Sequence, residues 1–183
     1  QNIKDQAVRM NKLVSEISEA AVVDNDLVTK KREKFDLSEV LTNIVDHYKE
    51  TNEHPKLDFS EDIQSKITIN GLPDRIGQVF VNLIDNAMTF SRPVGSVRIS
   101  LEKKWRKRPI ITIEDSGPGI RDELKPLIFD SFFTSRSGNS VVSNSSGLGL
   151  TIVKQIVEAH NGSIAVVDSE LGGAKFIIEF PRL

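Results

Sequence analysis

The feature that most constrains the fold is a repeated change of hydrophobic period along the chain. Stretches with apolar residues every three or four positions alternate with paired short runs that alternate every two. The first pattern is a helix with one buried face and the second a half-buried strand. In chain order, the reading is a long helix to about residue 28, a helix over 36–50, and strand candidates "KLDFS" and "KITIN". A helix opened by Pro73 follows, then strands at about 96–105 and 109–115 joined at "RKRP". A loop runs from 116 to 147, with a short helical piece near 122–130. A helix over about 148–160 and the strands "SIAVVDS" and "AKFIIEF", joined by "ELGG", close the chain. Strand pairs separated by single helices predict a two-layer α/β sandwich with a mixed sheet rather than strict βαβ units.

Local signals sharpen the boundaries. In the leading helix, Ile3, Ala7, Met10, Val14, Ile17 and Ala21 follow spacings of four and three, a heptad seam widened by Leu13 and Ala20. That stripe packs either on partner helices, in a bundle or dimer, or on the chain's own domain. The polar stretch "DNDLVTKKREK" separates it from the rest of the chain, with residues 31–35 as the linker. Phe35, Asp36, Glu39 and Val40 fit a hydrophobic staple around a capping box, so the next helix starts at 36. Gly162 in "HNG" is the expected stop of the helix over 148–160.

The helix after Pro73 has an unusual polar side. At roughly 100° per residue, Arg75, Gln78, Asn82, Asn86 and Thr89 form one stripe, and Ile76, Val79, Phe80, Leu83, Ile84 and Ala87 form the other. Taken alone, such a row reads as a solvated face. Solvated faces usually carry Lys and Glu, however, whereas Asn oxygens suit a hard cation such as Mg²⁺ that also borrows phosphate oxygens. Two glycine sites add to that reading. "ITIEDSGPGI" runs a strand ending at Asp115 into a turn where Gly117 and Gly119 permit positive φ and close approach of a ligand. "SSGLGLTIV" places Gly147 and Gly149 at a helix start, where free N–H groups favour phosphate, with tight packing as the competing explanation. No Walker A sequence occurs. Between the glycine sites, residues 130–146 read as a mobile lid with Phe129, Phe132 and Phe133 as anchors and Arg136 as its only cation.

Taken together and in this order, "NLIDNA", "DSGPGI", "IFDSFFTS" and "GLGL" resemble the N, G1, F and G2 boxes of the ATP-binding catalytic domain of sensor histidine kinases. That domain belongs to the wider family shared with type II topoisomerases, Hsp90 and MutL. The resemblance covers about residues 35–183. It implies a Bergerat-type fold of three helices on a mixed sheet over 36–183, and makes residues 1–30 similar to the second helix of a dimerisation and phosphotransfer hairpin. It implies ATP and Mg²⁺ as ligands, with Asn86 holding the metal and Asn82 at the phosphates. Asp115 would accept from the adenine amino group, Gly117, Gly119 and Ile120 would flank the base and ribose, and Phe90 would border the pocket. Gly147, Leu148, Gly149 and Leu150 would offer backbone N–H groups to the phosphates, with Phe133 and Arg136 contributed by the lid. The implied setting is the cytoplasmic portion of a membrane-anchored bacterial sensor that dimerises through its hairpin and passes phosphate to a response regulator.

The chain departs from the pattern in two places. Thr89 stands where many such kinases carry Lys, leaving Arg75 or Arg136 to replace that phosphate contact. No box bearing a phosphoacceptor histidine is present, so the chain, which opens on Gln1 inside a helical pattern, is read as a piece of a longer protein. His47, His54 and His160 do not fit the acceptor role, and His160 in "EAHNG" reads as a capping or packing residue. In the hydrolysing relatives a Glu one turn before the metal Asn activates water. Asn82 occupies that position and has no useful basicity, so transfer is expected over hydrolysis. The alternative is a non-catalytic nucleotide-binding module acting through its helical surface.

Composition removes other classes. A net charge of -2 gives no general attraction to nucleic acid, and the cluster "EKKWRKR" around Trp105 reads first as a solvated hairpin tip. No apolar run approaches the roughly 20 residues of a membrane span, so no direct membrane contact is expected of this segment. The absence of cysteine excludes disulfides and thiolate zinc sites, and it fits a reducing compartment.

Overall fold

In the computed structural model the residues described are 3–51, 57–91, 94–103, 108–131, 133 and 147–183. The leading helix α1 spans Ile3–Thr29. A short strand β1 (Glu33–Asp36) then pairs antiparallel with β3 (Thr68–Gly71), Phe35 opposite Ile69. Residues 33–35 are thus part of a strand rather than only a linker. Four residues in a polar stretch carry too little alternation to announce a strand, and it forms because β3 supplies the partner.

Helix α2 (Leu37–Thr51) begins as the capping box predicts. The Asp36 carboxylate accepts from the N–H groups of Ser38 at 2.9 Å and Glu39 at 3.3 Å, satisfying two of the first turn's donors. The main sheet contains β2 (Leu57–Ile63), β4 (Gly95–Lys103), β5 (Pro109–Asp115), β6 (Ser163–Asp168) and β7 (Ala174–Glu179), in the order β2-β4-β5-β7-β6. Only β2–β4 is parallel, so the sheet is mixed. Helices α3 (Pro73–Ser91) and α4 (Gly149–Ala159) cover one face together with α2. This is the expected α/β sandwich of three helices on a sheet.

The core lies between these layers. Ile76, Val79, Phe80, Leu83 and Ile84 from α3 and Ile152, Val153, Ile156 and Val157 from α4 are buried against Val97, Ile99, Leu101, Ile111, Ile113, Phe176 and Ile178 of the sheet. The helix residues follow the 3.6 period and the strand residues the period of two, so each element buries the face its pattern marks. The expected helical piece near 122–130 is instead a run of turns, with Leu124 N–H donating to Arg121 O and Leu127 N–H to Leu124 O. Helix α4 ends in a Schellman arrangement. Asn161, at φ 57°, is its left-handed residue, and the N–H groups of Asn161 and Gly162 donate to Glu158 O and Val157 O. The stop is therefore Asn161. Gly162 has another reason to be glycine, since a Cβ there would come within 2.8 Å of Glu179 O.

The packing of α1 divides its apolar residues between two faces. Val23 is fully buried, and Ala20 and Leu27 pack on the domain core, whereas Val14 and Ile17 of the heptad seam are exposed. The side chains of Ile3, Ala7, Met10 and Leu13 lie outside the described ones. One stripe of α1 therefore faces the domain and another faces outward. Among the described residues no helix is long and apolar enough to cross a membrane. Residues 104–107, with Trp105, lie outside the described residues, so the basic cluster is not placed.

Candidate functional site

Asp115 closes β5 at the centre of the sheet and is only 4% exposed. Its Oδ1 accepts from Gly117 N–H at 2.8 Å and Ala174 N–H at 3.2 Å. Oδ2 has no protein donor among the described residues. A buried carboxylate with one oxygen saturated and the other open needs a donor from outside the protein. Burial raises the carboxyl pKa above its ordinary value, and the Gly117 and Ala174 N–H groups pull it back only in part.

The surrounding turn is tight. Gly119 adopts φ +72°, as its position in the Gly-Pro-Gly turn demands, and Ile120 packs on the core. Gly117 does not have positive φ. It is confined by space, since a Cβ there would lie 2.8 Å from Asp115 Oδ1 and 3.0 Å from Phe90 O. That contact brings the end of α3 to the Asp115 turn. The Phe90 side chain is 45% exposed, large and apolar beside a buried acceptor.

The polar row of α3 divides in two. Arg75 donates to Asp26 of α1 at 2.5 and 2.9 Å and to Gln78 Oε1 at 2.7 Å, and Gln78 Nε2 donates to Glu19 Oε1 at 2.5 Å. Arg75 is therefore engaged and does not serve as the spare phosphate cation. Hydrogen bonds from Lys30 and Arg75 hold the Asp26 carboxyl below its usual pKa. Further along the helix, Asn82 Nδ2 makes, among the described residues, only a long 3.4 Å hydrogen bond to Gly149 O, and Asn86 and Thr89 follow on the same side.

That contact joins α3 to the start of α4. Gly147 has φ +78°, and among the described residues no side chain caps α4. Among the described residues a Cβ on Gly149 would meet nothing within 4 Å, so packing against them does not explain this glycine. A glycine helix start with no side-chain cap among the described residues suits an anion. The side chain of Leu148 is buried and that of Leu150 packs on the core. Phe129 packs edge-to-face on Phe176, their ring centroids 6.4 Å apart, and Phe133 also packs on the core. His54, Phe132 and residues 134–146, with Arg136, lie outside the described residues.

The sequence reading missed the turn between β6 and β7. It treated "ELGG" as a simple join, yet Gly173 N–H donates to Asp115 O at 3.1 Å and Ala174 N–H to Asp115 Oδ1. The double glycine was the available signal. His160, by contrast, is the packing residue expected. It is 2% exposed, its Nε2 accepts from Leu72 N–H at 3.0 Å, and its Nδ1 lies 2.7 Å from Ile156 O.

The sequence profile of the histidine kinase-, DNA gyrase B- and HSP90-like ATPases matches residues 71–183. The chain belongs to that family. The match spans every element described above from the last residue of β3 onward. Similar proteins are Sensor protein ChvG of Rhizobium meliloti, 34% identical over 98% of this chain, and the signal transduction histidine-protein kinase BaeS of Escherichia coli, 32% identical over 94%. The chain spans only 33% and 37% of those proteins' lengths. Among solved structures, the catalytic domain of the histidine kinase ThkA superposes with TM-score 0.72 at 29% identity, covering 82% of this chain and 95% of that one. The mycobacterial sensor histidine kinase MprB gives 0.70 at 29% identity, over 82% and 97%.

Proposed function

We propose that this chain is the catalytic part of a sensor histidine kinase. It binds Mg²⁺·ATP and presents the γ-phosphate to a histidine on a segment outside this sequence. The observation that carries the reading is the half-satisfied buried carboxylate of Asp115, with a glycine helix start, free of side-chain caps among the described residues, joined to it through α3.

The chain's own residues would act as follows. Asp115 Oδ2 accepts from the adenine 6-amino group, and Phe90, Gly117, Gly119 and Ile120 shape the space around base and ribose. Asn86 offers its amide oxygen to Mg²⁺, and Asn82 lies beside it toward the phosphates. Backbone N–H groups from Gly147 to Leu150 meet the phosphate oxygens, and Phe133 and Arg136 act from the 130–146 segment. Mg²⁺, when bound, supplies charge neutralisation of the phosphates. The acceptor imidazole attacks the γ-phosphorus, the bond to the β–γ bridging oxygen breaks, and ADP leaves. Asn82 cannot take a proton from water, so water is not activated at the position used by hydrolysing relatives. The phosphohistidine would then pass its phosphate to an Asp of a response regulator, and the exposed Val14 and Ile17 stripe would serve the homodimer. The setting that fits is the cytoplasmic part of a membrane-anchored bacterial sensor.

The test is incubation with γ-labelled ATP, alone and with a hairpin segment carrying the acceptor histidine. The chain alone should bind Mg²⁺·ATP, release phosphate slowly and remain unlabelled. Acid-labile, base-stable label should appear when the acceptor is supplied. Label on His47, His54 or His160, or rapid phosphate release, would overturn the assignment of roles. Binding without transfer to any acceptor would favour the regulatory module.

A further inference from the structure

Adjacent residues of β5 carry buried carboxylates on opposite faces of the sheet. Asp115 faces the nucleotide side, while Glu114, 3% exposed, accepts from Ser169 Oγ at 3.0 Å and pairs with Lys175 Nζ at 3.1 Å. Ser169 opens the β6–β7 turn. Its Oγ also accepts from Leu171 N–H at 3.0 Å, its N–H donates to Gly173 O, and Gly172 N–H donates back to Ser169 O. The turn is thereby pinned from the face of the sheet opposite the site. It delivers two N–H groups to one residue, Gly173 N–H to Asp115 O and Ala174 N–H to Asp115 Oδ1.

Gly173 is the close point of that delivery. Gly172 has φ +102° and open space around it, so it serves the bend. Gly173 does not have positive φ. A Cβ there would nevertheless lie 2.0 Å from Asp115 Oδ1 and 2.5 Å from Asp115 O and Gly117 N. The missing side chain is what lets Asp115 keep its rotamer, with Oδ1 filled by the protein and Oδ2 left without a donor among the described residues.

We infer that the Ser169–Gly173 turn is a positioning element for nucleotide selectivity, with Gly173 as its determining residue. The inference rests on the Asp115 reading above and deepens it. A carboxylate saturated on one oxygen presents a single acceptor at a fixed place. It matches the amino group of adenine and rejects the oxygen that guanine offers there. Released from the turn, Asp115 would gain rotamer freedom and its selectivity would fall, although neither Gly173 nor Ser169 touches the base.

The experiment compares ATP and GTP affinities by titration calorimetry in the unsubstituted chain, Gly173→Ala and Ser169→Ala, with folding checked by circular dichroism. Gly173→Ala should weaken ATP about tenfold and change GTP little, so the ATP:GTP ratio collapses. Ser169→Ala leaves Gly173 in place and should lower the ratio less, and it carries the test if Gly173→Ala does not fold. In an Asp115→Ala background, Ser169→Ala should have no further effect on the ratio. Equal affinities in the unsubstituted chain overturn the Asp115 reading and this inference with it. A clear ATP preference that the folded turn variants preserve overturns only the role of the turn, as does an equal loss of both nucleotides.

Discussion

The two halves of the α3 polar row look alike in sequence and are used differently in the structure. Arg75 and Gln78 are closed off by Asp26 and Glu19 of α1, in contacts of 2.5–2.9 Å. Among the described residues, Asn82, one turn on, has only a 3.4 Å hydrogen bond to a backbone oxygen, and the Asn86 amide makes no side-chain hydrogen bond. One helical face therefore holds an interhelical joint at its N-terminal end and ligand-ready amides at its C-terminal end. The desolvation of a polar residue on a buried-edge face is offset by its partner. Where the protein supplies the partner the residue is structural, and where it does not a ligand is expected.

The largest effect that tests this division is on nucleotide. Asn86→Ala should weaken Mg²⁺·ATP by about 1–3 kcal/mol, with a smaller loss for metal-free ATP, because the lost oxygen acts through the cation. Melting temperature without nucleotide should hardly change. Titration with and without Mg²⁺ checks it, and equal losses in the two conditions would make Asn86 a structural amide like Gln78.

The converse substitution should show the converse pattern. Arg75→Ala strips Asp26 of its part-buried partner and leaves only the exposed Lys30 at 2.8 Å. Thermal melting should drop by a few degrees, while ATP affinity stays close to that of the unsubstituted chain. A loss of affinity as large as that of Asn86→Ala would show that the joint and the site are one unit.

This division explains which parts of the molecule could be read beforehand. Sheet strands, helices and the Asp36 cap follow from local pattern, because each depends on neighbours within a few residues. The face of α3 was equally visible as a face, but its partners were not. Asp26 is 49 residues from Arg75 in sequence, and nothing in a helical period says which distant helix will cover it. The strand Glu33–Asp36 escaped for the same reason, as it exists only through β3. Asn161 took the left-handed position expected of Gly162 because Asn tolerates that conformation, leaving the glycine to meet Glu179 O. The glycines around Asp115 were half legible. Their presence marked a turn, but only the fold shows that Gly117 and Gly173 are excluded from having side chains by the same carboxylate.

The smallest effect separates the anchors of the structural half by pH. Arg75 lies near the start of α3, and His160 joins that start to the end of α4. Its Nε2 accepts from Leu72 N–H, so Nδ1 carries the proton and donates to Ile156 O. A second proton on Nε2 would set a donor against Leu72 N–H. Burial accordingly lowers the imidazole pKa, opposed in part by the Ile156 carbonyl and assisted by the nearby Arg32 charge. A lowered histidine pKa means that the unfolded chain binds the proton first on acidification. This contribution is therefore fully present above about pH 6.5 and is lost as pH falls through the folded value. Asp26, also lowered, contributes above about pH 4 and loses its share only at more acid pH. Melting curves from pH 7.5 downward should show an early decline and a later one. In Arg75→Ala the early decline should persist, because it belongs to His160, and the late one should shrink. An early decline that disappears in Arg75→Ala would assign it to the α1 joint instead, and the neutral imidazole bridge between Leu72 and Ile156 would not be a separate anchor.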